Sequence, residues 1–272
     1  MKYIYISLFI LSSLDLFSQG IQVSPVKVFF NLNPGETKTQ SVNVENQSTE
    51  NKLFEISLSD WYRDSLGDKV YSPIGTLPNS CSEWIILRPN ILELKANENK
   101  NIQIVMNRPI NNSTENNKAK CSMLFIKEIK EKESLLKPIE NMESRMLIEY
   151  RLGVHIYHNP TSNNLKNIDI SSFKINSKNK KSKKEDNILE ITLDNNGTEL
   201  SESIIKVILT NTLNGEEIKL ANVSVSMMPE TKRIIKIIPI TYSKCGAKTN
   251  VSTNKKMVKN PIHKYHAGRP SR

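Results

Sequence analysis

Thr37-Lys38-Thr39-Gln40-Ser41-Val42-Asn43-Val44-Glu45-Asn46 and, beyond a polar stretch at 47–51, Lys52-Leu53-Phe54-Glu55-Ile56-Ser57-Leu58-Ser59-Asp60-Trp61 are two runs of alternating character. Val42 and Val44 fall on one side of the first run; Phe54, Ile56 and Leu58 fall on one side of the second. Successive side chains of a strand point to opposite faces, so a period of two predicts strands with one face buried. The first run ends at Asn46, and the turn Asp64–Asp68 passes through Gly67 after the second.

The same idiom continues in both directions. Upstream, Gln22–Phe30 is rich in β-formers, and Pro25 near its start predicts an edge or a bulge, since proline lacks an N–H. Asn33-Pro34-Gly35-Glu36 is a turn. Downstream, the apolar run Trp84–Leu87 stops at Pro89, Ile91, Leu92 and Leu94 lead into the polar stretch 95–100, and Ile102, Ile104 and Met106 alternate. Residues 107–120 read as a polar loop, Met123–Ile129 as a strand, and 131–143, broken by Pro138, as an exposed connection. Met146–His158 is a long strand candidate whose Met146, Ile148, Tyr150 and Leu152 share a face; Asn159-Pro160 closes it. The second half repeats the pattern at Leu165–Ile175, Ile188–Leu193, Ile204–Leu209, Ile218–Val225 and Arg233–Ile240, with turns at Asp194-Asn195-Asn196-Gly197 and Asn214-Gly215. No helix-period run of ten residues stands out. Short strands and frequent turns over 272 residues predict an all-β chain of two immunoglobulin-like β-sandwich domains, at 20–160 and 161–245. The second has fewer aromatics and a less robust core.

The ends read differently. Lys2 followed by an apolar run from Ile4 to Leu14, interrupted at Asp15 and ending in Ser18-Gln19-Gly20, predicts an export signal over 1–19. The run is shorter than the ~20 residues of a spanning helix, and no cysteine near residue 20 offers a lipid acceptor. The net charge of +10 is uneven: 246–272 holds seven Lys or Arg and no acid, which leaves the body near +3. That tail reads as disordered. A second cluster, Lys178, Lys180, Lys181, Lys183 and Lys184, reads as a solvated loop. Neither is interleaved with aromatics as a nucleic-acid surface is, so no nucleic-acid partner is expected. Three cysteines can form at most one internal pair; if two pair, Cys81 with Cys121 is the choice, since both fall in the first domain, and Cys245 lies outside the last strand.

Nothing marks an enzyme. Phosphate-binding glycine loops and a G-x-S-x-G elbow are missing, and Glu83, Glu93 and Glu98 are scattered over turns and strand edges. His155 and His158, three apart on a strand, face opposite sides and poorly suit one metal; His263 and His266 lie in the tail. No cofactor or metal is expected. What remains is recognition at a strand edge, by backbone hydrogen bonds with pockets for alternate side chains. Met146–Tyr157 is the strand best suited to it, with Lys27 as a nearby cation.

Several stretches, in order, resemble the PapD-like periplasmic pilus chaperones, in a divergent branch similar to those of Bacteroidetes. They are Ile21-Gln22-Val23-Ser24-Pro25-Val26-Lys27-Val28, Val42-Asn43-Val44-Glu45-Asn46, Leu58-Ser59-Asp60-Trp61, Trp84-Ile85-Ile86-Leu87-Arg88-Pro89, Ser122–Ile129, Tyr150–Pro160 and Leu189-Glu190-Ile191-Thr192-Leu193-Asp194-Asn195. The resemblance implies a periplasmic, non-catalytic protein that captures exported pilus or surface subunits by lending them a strand and passes them to an outer-membrane assembly protein. It implies strand donation from Met146, Ile148, Tyr150 and Leu152. It implies a client-carboxylate anchor at Lys27 and His155, where the family pattern has an Arg and a Lys. Lysine keeps the charge but loses the arginine fork, and histidine is neutral for much of its time at pH 7. The same two domains would also serve as a non-catalytic adaptor of a surface or secretion assembly.

Overall fold

The computed structural model describes residues 20–110, 117–129, 149–162, 165–178, 186–211, 214–237, 247–253 and 264–265. The expected export signal, most of the lysine-rich loop, Cys245, and the donor positions Met146 and Ile148 lie outside them.

The first domain is a sandwich of two sheets. One contains β1 (Ile21–Ser24), β3 (Thr37–Asn46), β8 (Asn99–Asn107) and β6 (Ile85–Arg88), in the order β1-β3-β8-β6. The other runs β2 (Lys27–Asn31), β10 (Arg151–Asn159), β9 (Lys120–Ile129), β4 (Lys52–Arg63) and β5 (Lys69–Ser72), with β7 (Ile91–Leu94) also on β4. The alternation anticipated for 37–61 and 102–106 is the packing pattern: Val42, Val44, Phe54, Ile56, Ile102, Ile104 and Met106 are buried between the sheets. Gln22–Phe30 is two strands rather than one. β1 pairs with β3, and after Pro25 the chain crosses to the other sheet, where β2 runs parallel to β10.

The second domain has one sheet of β11 (Ile168–Lys178), β12 (Asp186–Asn195) and β15 (Lys232–Ile237), and another in the order β14 (Glu217–Met227), β13 (Ser201–Asn211), β16 (Ala247–Thr253), β17 (Lys264–Tyr265). Its core is aliphatic, built on Ile168, Leu189, Ile191, Leu193, Ile205 and Val207. The tail expected to lack structure is corrected in part. Ala247–Thr253 pairs antiparallel with β13, placing Val251 opposite Val207. The β-branched residues Thr249, Val251 and Thr253 suit a strand, and β13 offers a free edge to receive it.

Both domains end an inward-facing row in asparagine. In β3 the row is Val42, Val44, Asn46; in β12 it is Ile191, Leu193, Asn195, and neither amide is exposed. Asn46 Nδ2 donates to the carbonyls of Glu50 (2.7 Å) and Lys95 (2.9 Å), and its Oδ1 accepts from the Ser48 N–H (3.1 Å). Asn195 Nδ2 donates to the carbonyls of Glu199 (3.1 Å) and Met227 (2.9 Å), and its Oδ1 accepts from the Gly197 N–H (3.0 Å). A buried amide is tolerated only when its donors and acceptor are satisfied, and here they tie a turn to the opposite sheet.

The Cys81–Cys121 pairing is corrected. Both are free, buried thiols. The backbones are neighbours, with the Cys81 N–H donating to the Cys121 carbonyl at 3.4 Å, but the side chains pack into different clusters. Cys81 packs in the core between the sheets, its Sγ 3.3 Å from the hydroxyl of Ser122. Cys121, one residue before Ser122 and so on the other face, lies beside Trp61. Burial pushes the Cys81 thiol up to about 12 and the Cys121 thiol well above its usual value, so both stay protonated.

Replacing Asn46 or Asn195 with Ala removes the amide from carbonyls that stay buried. Each variant is expected to lose about 2–3 kcal/mol in urea melts; a loss below about 0.5 kcal/mol for both would show that these amides do not tie the turns.

Candidate functional site: a basic cleft beside an open strand edge

β10 alternates between two environments. Leu152, Val154 and Ile156 face the first domain's core. Tyr157, from the other set, is buried on the outer face of the sheet. That outer face is covered rather than solvated. Trp61, Cys121, Met123, Phe125 and Tyr157 form a cluster with Leu200 and Met228 of the second domain. β9 is therefore buried on both faces, and 120–126 reads as a continuous buried run.

The domains meet at two further places. Where the chain crosses beside β9, the Ala119 N–H donates to the Thr198 carbonyl at 2.7 Å. At the tip of the β4–β5 hairpin, the Ile234 N–H donates to the Ser65 carbonyl at 2.7 Å. Gly67, at φ +101°, lies flat under the Arg233 guanidinium; a Cβ there would sit 1.4 Å from Nη1. Between the domains, Trp61, Arg63, Tyr157, Leu200, Met228 and Arg233 line a shallow recess.

Register puts the two expected anchor residues side by side. In the parallel β2–β10 pair, Lys27 is the partner of His155. Lys27 and Phe29 face outward from β2 while Val28 and Phe30 enter the core. Phe29 stacks on Tyr157 with centroids 5.3 Å apart, and the His155 ring lies 4.6 Å from Trp61 and parallel to Tyr157.

The charges differ from the expected pair. His155 Nε2 is 3.1 Å from Lys69 Nζ. An ammonium can only donate, so Nε2 accepts and the imidazole is neutral with its proton on Nδ1. Burial lowers the His155 pKa to about 4, with repulsion from Lys69, Arg63 and Lys27 adding to it. The second cation of the cleft is Lys69, which follows the Gly67 turn and stands opposite Arg63 in the hairpin. Sequence reading missed it because β5, four residues long, was not recognised; Lys69-Val70-Tyr71 after a turn was the available signal. It also missed Glu202, whose carboxylate is 2.7 Å from Lys27 Nζ. His158 faces the other side, near Trp84 and 3.4 Å from the Leu32 carbonyl, so the two histidines do not converge.

The edge of β10 is half occupied. β9 pairs with it from Arg151 to His158, but β2 pairs only from His155 to Asn159. Among the described residues, no strand lies beside 151–154 on the β2 side. Of the expected donor row, Tyr150 is exposed at 58%, and Leu152 is partly buried against the core.

No protein-family model matches the chain, and neither does any curated protein. Solved structures do. A chain of the chaperone–tip adhesin complex of CFA/I fimbriae biogenesis is 14% identical, with a TM-score of 0.50, over 90% of this chain and 98% of that one. The class 5 fimbriae chaperone CfaA is 13% identical, with a TM-score of 0.49, over 92% and 100%. The first of these likenesses is one of fold: two immunoglobulin-like sandwich domains of the PapD type.

His158, like His155, is held at about 4, by burial first and then by Arg108 and Lys120, against the opposing bond to the Leu32 carbonyl. Both folded values lie below the ~6.5 of an unfolded histidine. Their contribution to stability is therefore complete above pH ~6.5 and is lost as pH falls towards 4, because the unfolded chain takes up the protons first. Imidazole proton shifts should titrate near pH 4 for both rings, and His155→Gln/His158→Gln should flatten the fall in melting temperature between pH 6.5 and 5. Midpoints near 6.5 would show that the rings are solvated.

Proposed function

We propose that the chain is a periplasmic chaperone of the PapD-like kind, which binds exported pilus or surface subunits by strand addition and escorts them to assembly without catalysis. One observation carries this reading: β9 pairs with β10 from Arg151 to His158, while among the described residues the other edge of β10 is open at 151–154, directly before a cleft that holds Lys27 and Lys69. An open edge offers a row of unsatisfied N–H and C=O groups, which a partner strand satisfies at little cost to either chain. Of the expected donor row Met146, Ile148, Tyr150 and Leu152, the exposed Tyr150 stands where that edge begins, a side chain of the kind that a subunit lacking a strand would take into its own core. The cations of the cleft suit a carboxylate at the end of the partner's strand. Export through the segment at 1–19, delivery to an outer-membrane assembly protein and a place in a Bacteroidetes-like branch belong to the same proposal.

The alternation of Leu152, Val154 and Ile156 into the core supports the role by fixing the strand's rotation. A period of two places Tyr150 on the same side as Leu152, and there it is exposed. A side chain exposed at the start of a strand held by its neighbour is preorganised for a partner, so little conformational entropy is lost on binding.

Ile148→Asp and Tyr150→Asp test this. Co-expressed with exported surface subunits of the source cell, the wild-type chain should hold subunits in a soluble complex. Each variant should hold at least tenfold less, while its own urea melt shifts little. Capture at wild-type level by both variants would remove strand donation as the function.

A further inference from the structure

The cleft cations are not waiting bare. Lys27 Nζ is 2.7 Å from Glu202 Oε1, across the gap between the two domains. Lys69 Nζ, by contrast, has the neutral Nε2 of His155 as its partner. The two ammonium groups flank one histidine: Lys27 is its neighbour in the register of β2 and β10, and Lys69 is bonded to its ring. Arg63 stands opposite Lys69 in the hairpin, with its guanidinium 5.5 Å from the Trp61 ring and one nitrogen donating to the Gly67 carbonyl at 3.0 Å. Asp64 and Asp68 serve Arg233 at the hairpin tip. The carboxylate that faces Lys27 therefore comes from β13 of the other domain.

We infer that Glu202 is a built-in stand-in for the partner's carboxylate: it holds Lys27 in the free chain and yields it on binding, when Lys27 and Lys69 clasp the incoming carboxylate from either side of His155. The inference rests on the proposed chaperone reading and adds two residues to it, a competitor and a second cation. Both members of the Lys27–Glu202 pair are about half exposed, with side chains 42% and 51% accessible. An ion pair that wet is weak and exchanges readily, which is what a displaceable contact needs. Lys69 is different. It has a neutral acceptor rather than an anion, and burial and Arg63 lower its pKa, so a carboxylate between the two lysines relieves a repulsion that Glu202 leaves in place. Because Glu202 and Lys27 sit on different domains, the exchange also removes one ionic tie between the domains.

The probe is a fluorescent synthetic peptide of alternating Val and Thr with a free C-terminal carboxylate, compared with the same peptide ending in an amide. Wild-type protein should bind the acid about tenfold more tightly than the amide. Glu202→Gln should tighten the acid by about threefold, the scale of an exposed ion pair, and leave the amide unchanged. Lys69→Gln should weaken the acid by about fivefold and again spare the amide. If wild type does not distinguish acid from amide, or binds neither, the chaperone reading of the cleft fails. If it does distinguish them but Glu202→Gln binds the acid no better, or Lys69→Gln binds it no worse, the inference fails and the reading stands.

Discussion

The parallel register of β2 against β10 is the constraint from which the rest of the cleft follows. Lys27 pairs with His155 and Asn31 with Asn159, so the contact covers only the last five residues of β10. That length has two consequences. It seals the sandwich where Val28 and Phe30 meet Val154 and Ile156 in the core. It also ends at Lys27, because the chain before it has crossed to the other sheet at Ser24-Pro25-Val26. A proline cannot donate to a ladder, so the crossing and the limit of the pairing have one cause. Had β1 and β2 been one strand, the edge of β10 would have been closed further along its length.

Burial then sets the charges. The outer face of the sheet is covered by Leu200 and Met228, so His155 and Tyr157 are removed from water although they alternate with the core residues. Three cations around a half-buried imidazole make its protonation costly, and the ring serves Lys69 as an acceptor instead. The position that the family resemblance assigned to a positive charge thus holds a neutral spacer, and the charge comes from the next hairpin. The same covered face carries the interdomain contact, so the basic groups and the domain junction are parts of one surface.

The sequence made the strands legible wherever one face was buried and the other wet. Val42, Val44, Phe54, Ile56, Ile102 and Ile104 alternate cleanly and all reach the core. It was less informative where both faces are buried: Cys121, Met123 and Phe125 pack against the second domain, and periodicity cannot tell such a run from any other apolar one. Cys81 and Cys121 invited pairing because both fall in the first domain. They are neighbours across the sheet, but one belongs to the inner face and the other to the outer. β5 was missed because four residues with two apolar positions give too little pattern, and with it went Lys69. Lys27 and His155 could be placed by resemblance, and register brings them together; Glu202, 175 residues from Lys27, could not be placed without the fold. Thr249, Val251 and Thr253 were overlooked because the surrounding lysines dominated the reading of the tail.

An open strand edge is a hazard as well as a tool, since any exposed strand can pair with it. The surroundings of 151–154 limit who can. The Arg151 guanidinium lies 4.0 Å from the centre of the Phe125 ring and 5.5 Å from that of Tyr71, so a positive charge held against two aromatic rings stands at the start of the edge. Gly153 carries no side chain toward the cleft face, where a Cβ would come within 3.0 Å of the Met123 sulfur, so the edge passes close over β9. The other end of the edge meets the Lys27–Glu202 pair. A strand that pairs with 151–154 and brings no carboxylate leaves that pair intact and gains nothing from the two ammonium groups. One that ends in a carboxylate gains the two ammonium groups as well. On the proposed reading, selectivity arises from the coupling of an undiscriminating edge to a discriminating end, and it is strongest when the internal competitor, Glu202, is weakly held.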